Sequence, residues 1–209
     1  MMNCKSLSLL PVLVVFCSVV NASPILSEVF YDAVGNDAGE TFIELYGDPG
    51  ESLDGLILEA VNGFNGSVYL GITLSGVFPN DGIYVIGDQV AGVSNVPEVD
   101  KVTNVNLQNG PDSLVLRNDT EILDALAYGD FAGGLFAAGE GNPADDVSAG
   151  FSLERSSLWL DTDNNAVDFV SAIPTPGSRS NLATPLPASI YLLASSLLAF
   201  AGVSRRRTG

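Results

Sequence analysis

The chain has no histidine, and its two cysteines, Cys4 and Cys17, both lie close to its start. Without histidine there is no Ser-His-Asp or Cys-His machinery and no histidine-bearing zinc site. Lys101 is the only lysine after Lys5, and no Gly-x-Ser-x-Gly elbow accompanies it, so serine–lysine catalysis has little to stand on. Positive charge is equally scarce. All 25 acidic residues fall between Ser23 and Thr184, against four basic ones there, Lys101, Arg117, Arg155 and Arg179, for a net charge of −21. Such a surface repels a nucleic acid, so no nucleic-acid partner is expected, and it attracts cations or basic surfaces. The same charge also serves plain solubility in a salty exterior.

The long apolar runs are confined to the two ends. Near the start, Lys5 precedes a fourteen-residue apolar stretch, Leu7 to Val20, and then Val20-Asn21-Ala22 offers modest side chains where a signal peptidase cuts. That stretch is short for a bilayer, which predicts a signal peptide over 1–22 and leaves a retained N-terminal anchor as the alternative. Cleavage would remove both cysteines. The mature domain would then hold its fold by packing alone in an oxidising compartment.

The middle, 23–182, predicts one all-β domain. Runs rich in β-branched and aromatic residues recur: Pro24-ILSEVFY, Glu40-TFIELY, Leu56-ILEAV, Ser67-VYLGITL, Gly82-IYVIG, Ser113-LVLR, Glu121-ILDALAY and Phe151-SLERS. Breaks such as Gly47-DPG, Phe78-PNDG and Asn109-GPD carry the turn residues. No long window before the tail shows a helical apolar stripe, and the absence of a strict repeat favours a sandwich over a barrel. Two connections exceed the usual length, about Gln89–Asn106 and Asp130–Gly150, and long loops on a β scaffold are where binding resides.

Three constellations carry chemical potential. Glu28 and Glu44 sit on the first two predicted strands and form a candidate carboxylate pair for hydrolysis of a polysaccharide; the competing reading is the solvated face of a sheet. Asp161, Asp163, Asn165 and Asp168 offer hard oxygen ligands suited to calcium. Their spacing begins like an EF-hand loop, but Ala166 replaces the turn glycine and Ala172 the bidentate glutamate, so an Asx-turn competes with a calcium site. Asp32, Asn36, Asp37 and Glu40 form a second oxygen cluster with the same two readings. Arg155, one of few cations, is expected to pair with a carboxylate, and Trp159 to pack as core or lid. No catalytic residue is assigned, and calcium is the one cofactor these residues suggest.

In order along the chain, several segments resemble bacterial lamin-tail domains. Ser27-Glu28 followed by Glu40-Thr41-Phe42-Ile43-Glu44-Leu45 resembles the opening two strands of that family. Asp81-GIYVIG, Gln108-NGPDSLVLRN and Glu121-ILDALAYGD match later strands, and Phe151-SLERSS with Asp161-TDNNAVDFVSAIPTPG resembles the closing motif. The resemblance covers about Pro24 to Ser180. It implies an immunoglobulin-like β-sandwich that serves in interaction or attachment rather than in chemistry.

The tail, 183–209, contains Pro185, Leu186, Pro187 and Ala188, then an apolar run to Val203, then Arg205, Arg206 and Arg207. This arrangement resembles the PEP-CTERM family of sorting signals in its V-P-L-P-A form, with Thr184 where valine is usual. The resemblance implies transient insertion in the inner membrane of a Gram-negative cell, cleavage by an exosortase-type membrane protease near the proline motif, and delivery to the envelope, the surface or an extracellular polymer. As a helix, Ala188–Val203 would span about 24 Å, short of a roughly 30 Å hydrocarbon core, and counting from Leu186 makes it a marginal crossing, with the three arginines holding its end in the cytoplasm. A permanent single-pass anchor is the alternative.

Overall fold

The computed structural model describes residues 23–178, apart from 132, 134, 159 and 160. The proposed signal peptide, Trp159, the sorting motif and the three terminal arginines all lie outside the described residues. Among the described residues, no helix is long and apolar enough to cross a membrane.

The domain is almost entirely β. Its strands are β1 (Ile25–Phe30), β2 (Phe42–Tyr46), β3 (Ile57–Asn62), β4 (Val68–Thr73), β5 (Ile83–Gly87), β6 (Lys101–Val102), β7 (Asp112–Arg117), β8 (Ile122–Tyr128), β9 (Ser152–Arg155) and β10 (Phe169–Ala172). A single turn of helix, α1 (Asn165–Asp168), precedes β10. All eight predicted strands are present. Two-residue β6 lies inside the predicted loop at Gln89–Asn106 and pairs parallel to β5; the other pairings are antiparallel.

The strands form two sheets. One runs β10-β9-β1-β2-β5-β6 and the other β4-β3-β7-β8. Alternation in each strand sends one set of apolar side chains between them. Leu26, Val29, Ile43, Leu45, Ile86 and Leu153 from the first sheet meet Leu58, Ile72, Leu114, Leu116 and Leu126 from the second in one buried cluster. The stacked rings of Tyr31 and Tyr128, 4.4 Å apart, extend that core towards one end.

The six-stranded sheet is buried on its outer face as well. Ile25, Phe30, Phe42, Tyr46, Ile83 and Val85 form a second cluster there, with Val96 and Leu158 from covering loops. A β-bulge makes this possible in β1. Its pairing with β2 skips Ser27, so Leu26 and Val29 both face the core while Ile25, Glu28 and Phe30 share the outer face.

Strand direction sets where the loops go. β1, β3, β5 and β8 end at the same end of the sandwich, which therefore collects the connections 31–41, 63–67, 88–111 and 129–151. Both long predicted loops lie here.

Candidate functional site

Glu28 and Glu44 face each other across the β1–β2 pair, and Glu154 on β9 is Glu28's partner on the other side. The expectation that they lie on a solvated sheet face is corrected by the structure. Glu28 is 1% exposed and Glu44 4%. Their cover is the segment Pro174–Gly177, which crosses this face after β10. Thr175 donates its N–H to Glu28 at 3.0 Å and its hydroxyl at 3.2 Å. Gly177 donates its N–H to Glu44 Oε2 at 2.9 Å. From the sheet itself, Ser152 Oγ donates to Glu28 Oε1 at 2.5 Å and Ser27 Oγ to Glu44 Oε1 at 2.8 Å.

Burial dominates the electrostatics of this pair. Desolvation pushes the Glu44 carboxyl up to about 7, against the pull of Ser27 and Gly177, with Glu28 and Glu154 adding repulsion. Glu28 is also raised, again chiefly by burial. An acid–base pair with raised values is the electrostatic requirement for glycoside chemistry, but that chemistry also needs a sugar bond between the carboxyls. Here the oxygens of both groups already accept hydrogen bonds from the strap and the sheet. A hollow of about 190 Å³ beside the strap is lined by Phe30, Phe42, Val96 and Pro174 among others and by neither Glu28 nor Glu44. The arrangement fastens the Pro174–Gly177 strap.

A second cluster lies on the core side of the same sheet, where Arg155 is fully buried. Leu116 on β7 pairs with Asp124 on β8, so Asp124 occupies a core-facing position of the second sheet. Arg155 reaches it from the first sheet with two bonds from Nη2, at 2.7 and 2.8 Å. Its Nε donates to the Leu26 carbonyl at 2.9 Å, and the guanidinium lies 4.6 Å from the centre of the Phe169 ring. Nη1 reaches Asp161 at 3.3 Å and Asp168 at 3.4 Å. The expected pairing of Arg155 with a carboxylate is thus present, as a tie between the two sheets.

The predicted calcium ligands are drawn into this knot without converging on one point. Asn165 Oδ1 accepts the N–H groups of Ala127 and Glu140, each at 2.9 Å, and its Nδ2 donates to the Ala125 carbonyl at 2.7 Å. Asp168 accepts from the Thr162 N–H and hydroxyl as well as from Arg155. Asp161 Oδ1 accepts the Asp163 N–H at 3.1 Å, an Asx-turn of the kind expected from the sequence. What does converge is a set that the spacing did not suggest: one carboxylate oxygen each from Asp124, Glu140 and Asp161 lie within 4.8 Å of one another. Glu140 Oε2 has no hydrogen-bond partner there. Burial and the repulsion of Asp124 and Asp161 push the Glu140 carboxyl up to about 8, so a proton resolves much of the crowding at neutral pH.

Compared with family models, curated proteins and solved structures, the chain matches none.

The second oxygen cluster of the sequence also disperses. Asp37 Oδ1 accepts the Ala33 N–H, Asn36 Oδ1 the Ala38 N–H, and Glu40 accepts from Asn95. Asn36 and Asp37 nevertheless line a polar cleft with Thr41, Asp88, Gln89, Asn104 and Asn106, at the loop-rich end. Asn104 and Asn106 lie in the long loop that the sequence put forward for binding, but Asp88 and the meeting of these residues with the β1–β2 loop were not legible there, because nothing local ties them together. The long 129–151 loop is pinned at the same end. Tyr31 donates its hydroxyl to Asp146 at 2.8 Å and accepts the Val147 N–H at 3.0 Å, while the Phe136 N–H donates to the Gly63 carbonyl at 2.7 Å.

Proposed function

We propose that the chain is an exported, non-enzymatic binding or structural component of the cell envelope or extracellular matrix. In this reading it is a lamin-tail-like domain with an immunoglobulin-like sandwich, brought out by its signal peptide and processed by an exosortase-type protease at the Pro185–Ala188 motif. The inner membrane holds it only in transit.

The observation that carries the proposal is the strap. Two buried carboxylates, each bonded to backbone N–H groups of Thr175 or Gly177, fasten the end of the domain to its own sheet. The strap thereby fastens the chain to the sheet as far as Gly177, ahead of the proline motif in the sequence. The buried ionic groups, Arg155 with Asp124 and the Glu28–Glu44 pair, are consumed in holding the fold, and the loop-rich end is left for contact. Its tyrosine-anchored loops provide the rigid support that recognition needs.

The test is the intact mass of the protein recovered from its native host. The expected mass lacks about the first 22 residues and everything beyond the Pro-Leu-Pro region. A mass that retains the tail would overturn processing and leave a permanent anchor.

A further inference from the structure

The cleft at the loop-rich end has a volume of about 390 Å³, within the range of small-ligand sites. Its chemistry is unusual for so acidic a domain. The lining includes Asn36, Gln89, Asn104 and Asn106, and none of its residues is cationic. Its carboxylates are largely committed to backbone. Asp88 is buried, with Oδ1 accepting the Val105 N–H at 2.8 Å and Oδ2 the Gly39 N–H at 2.7 Å. Asp37 Oδ1 holds the Ala33 N–H at 2.8 Å. These bonds fix the two cleft walls, 33–41 and 102–108, against each other, and Thr41 Oγ1 adds a bond to the Val105 carbonyl at 2.9 Å.

With that scaffold in place, the amides face solvent. Val105 and Leu107 are buried while Asn104, Asn106 and Gln108 are exposed, so this segment presents an amide at every second residue, with Asn106 at the apex of a tight turn closed by the Leu107 N–H on the Val105 carbonyl at 3.1 Å. Gln108 Oε1 accepts from Asn62 Nδ2 at 3.0 Å, which carries the amide row to the end of β3. Amides donate and accept at once. An anion would find no positive charge here, an apolar ligand little more than the methyl groups of Ala38 and Thr41, and a cation carboxylates already bonded to backbone. A ligand dense in hydroxyl groups, each both donor and acceptor, satisfies the row.

Resting on the reading of the protein as an extracellular binding component, we propose that this cleft and its amide row bind a neutral polysaccharide chain, with Asn36, Asn104 and Asn106 as the principal contacts. The experiment is native gel electrophoresis of the full-chain protein through gels containing dextran, galactomannan or xyloglucan, with alginate as the anionic comparison. At least one neutral polymer is expected to retard the protein, with chelator present, and alginate is not. Combining Asn36→Ala, Asn104→Ala and Asn106→Ala should weaken retardation by about tenfold or more, the loss of several hydrogen bonds. Asn80→Ala, an exposed amide at the other end of the sandwich, should leave it intact. An unchanged melting temperature verifies that the triple variant is folded, and the single Asn104→Ala and Asn106→Ala variants replace it if it is not. No retardation by any neutral polymer, undiminished retardation of the folded variants, or retardation by alginate alone would overturn the proposal. Those failures leave the mass of the processed protein unaffected, so they are separable from failure of the export reading.

Discussion

Glu28 and Glu44 stand opposite each other on adjacent strands, both buried, and each takes a backbone N–H from the same strap, Thr175 for one and Gly177 for the other. The pair is placed by the bulge at Ser27, which turns Glu28 to the outer face in line with Glu44. Two carboxylates under one short cover make the domain's stability depend on pH in a definite direction.

The folded Glu44 carboxyl is held at about 7, above its ordinary 4.5. Between those values the folded protein keeps a proton that the unfolded chain has released, so stability falls as pH rises through this window. Glu28 acts in the same direction, and Glu140, raised to about 8, extends the fall past neutrality. Urea unfolding from pH 4.5 to 8 should therefore show highest stability at the acid end. Glu44→Gln should flatten the part below about pH 7 by on the order of 3 kcal/mol. Stability that rises across the same window would refute the assignment.

The strap can be loosened without touching the carboxylates. Gly177 has φ of +72°, and a Cβ added there would run into Glu98 Cβ. Gly177→Ala should speed hydrogen exchange of the Thr175 and Gly177 amides by roughly an order of magnitude, the equivalent of one lost hydrogen bond. The amides of β7, deep in the other sheet, should keep their protection. A global acceleration would show that the strap is integral to the fold rather than a cover laid on it.

How much of this could be read beforehand depends on how far the partners lie apart in the chain. The strands were legible because β-branched runs such as Ile83–Gly87 are bounded by turn residues, and β6 was not, because two residues carry no periodicity. Alternation in Phe42–Tyr46 places Glu44 with Phe42 and Tyr46 on one face, yet it cannot say what covers that face. The cover comes from Gly177, at a sequence separation of 133 residues. Arg155 was legible as a paired cation from scarcity alone, whereas Asp124 as its partner required the packing of one sheet on the other. Asn165 looked like a metal ligand because its spacing from Asp161 and Asp163 is local, while its actual partners at Ala125 and Ala127 are not.

The Arg155–Asp124 tie predicts an asymmetric response to mutation. Arg155→Met leaves Asp124 buried without its counter-charge and should cost about 3–5 kcal/mol in urea unfolding, since breaking one side of a buried pair strands the other. Removing both, as Arg155→Met with Asp124→Leu, should cost clearly less than the sum of the singles. Arg155→Lys keeps the charge but loses the fork that spans both Asp124 oxygens and the Leu26 carbonyl, so it should rescue only in part. Additive losses would mean that the two side chains are not coupled.

Asn165 separates a structural loop from a calcium site most sharply. A calcium ligand tolerates Asn→Asp, which adds charge to an oxygen that already faces the ion. In this fold Asn165 uses both ends of its amide, with Nδ2 aimed at the Ala125 carbonyl and Oδ1 shared by two N–H groups. Asn165→Asp therefore turns a donor into an acceptor against a buried carbonyl. It should destabilise the domain by about 1–3 kcal/mol, and calcium should not restore the loss. Asp168 leads to the same expectation, because its oxygens are bonded to Thr162 and Arg155. The melting temperature of the wild-type protein should accordingly be the same in calcium and in chelator. If calcium raised it, and Asn165→Asp raised it further, the loop would be a metal site and the hydrogen bonds of Asn165 would be secondary. If Glu140→Gln instead abolished the calcium response, the ion would belong to the Asp124–Glu140–Asp161 trio, whose oxygens do converge.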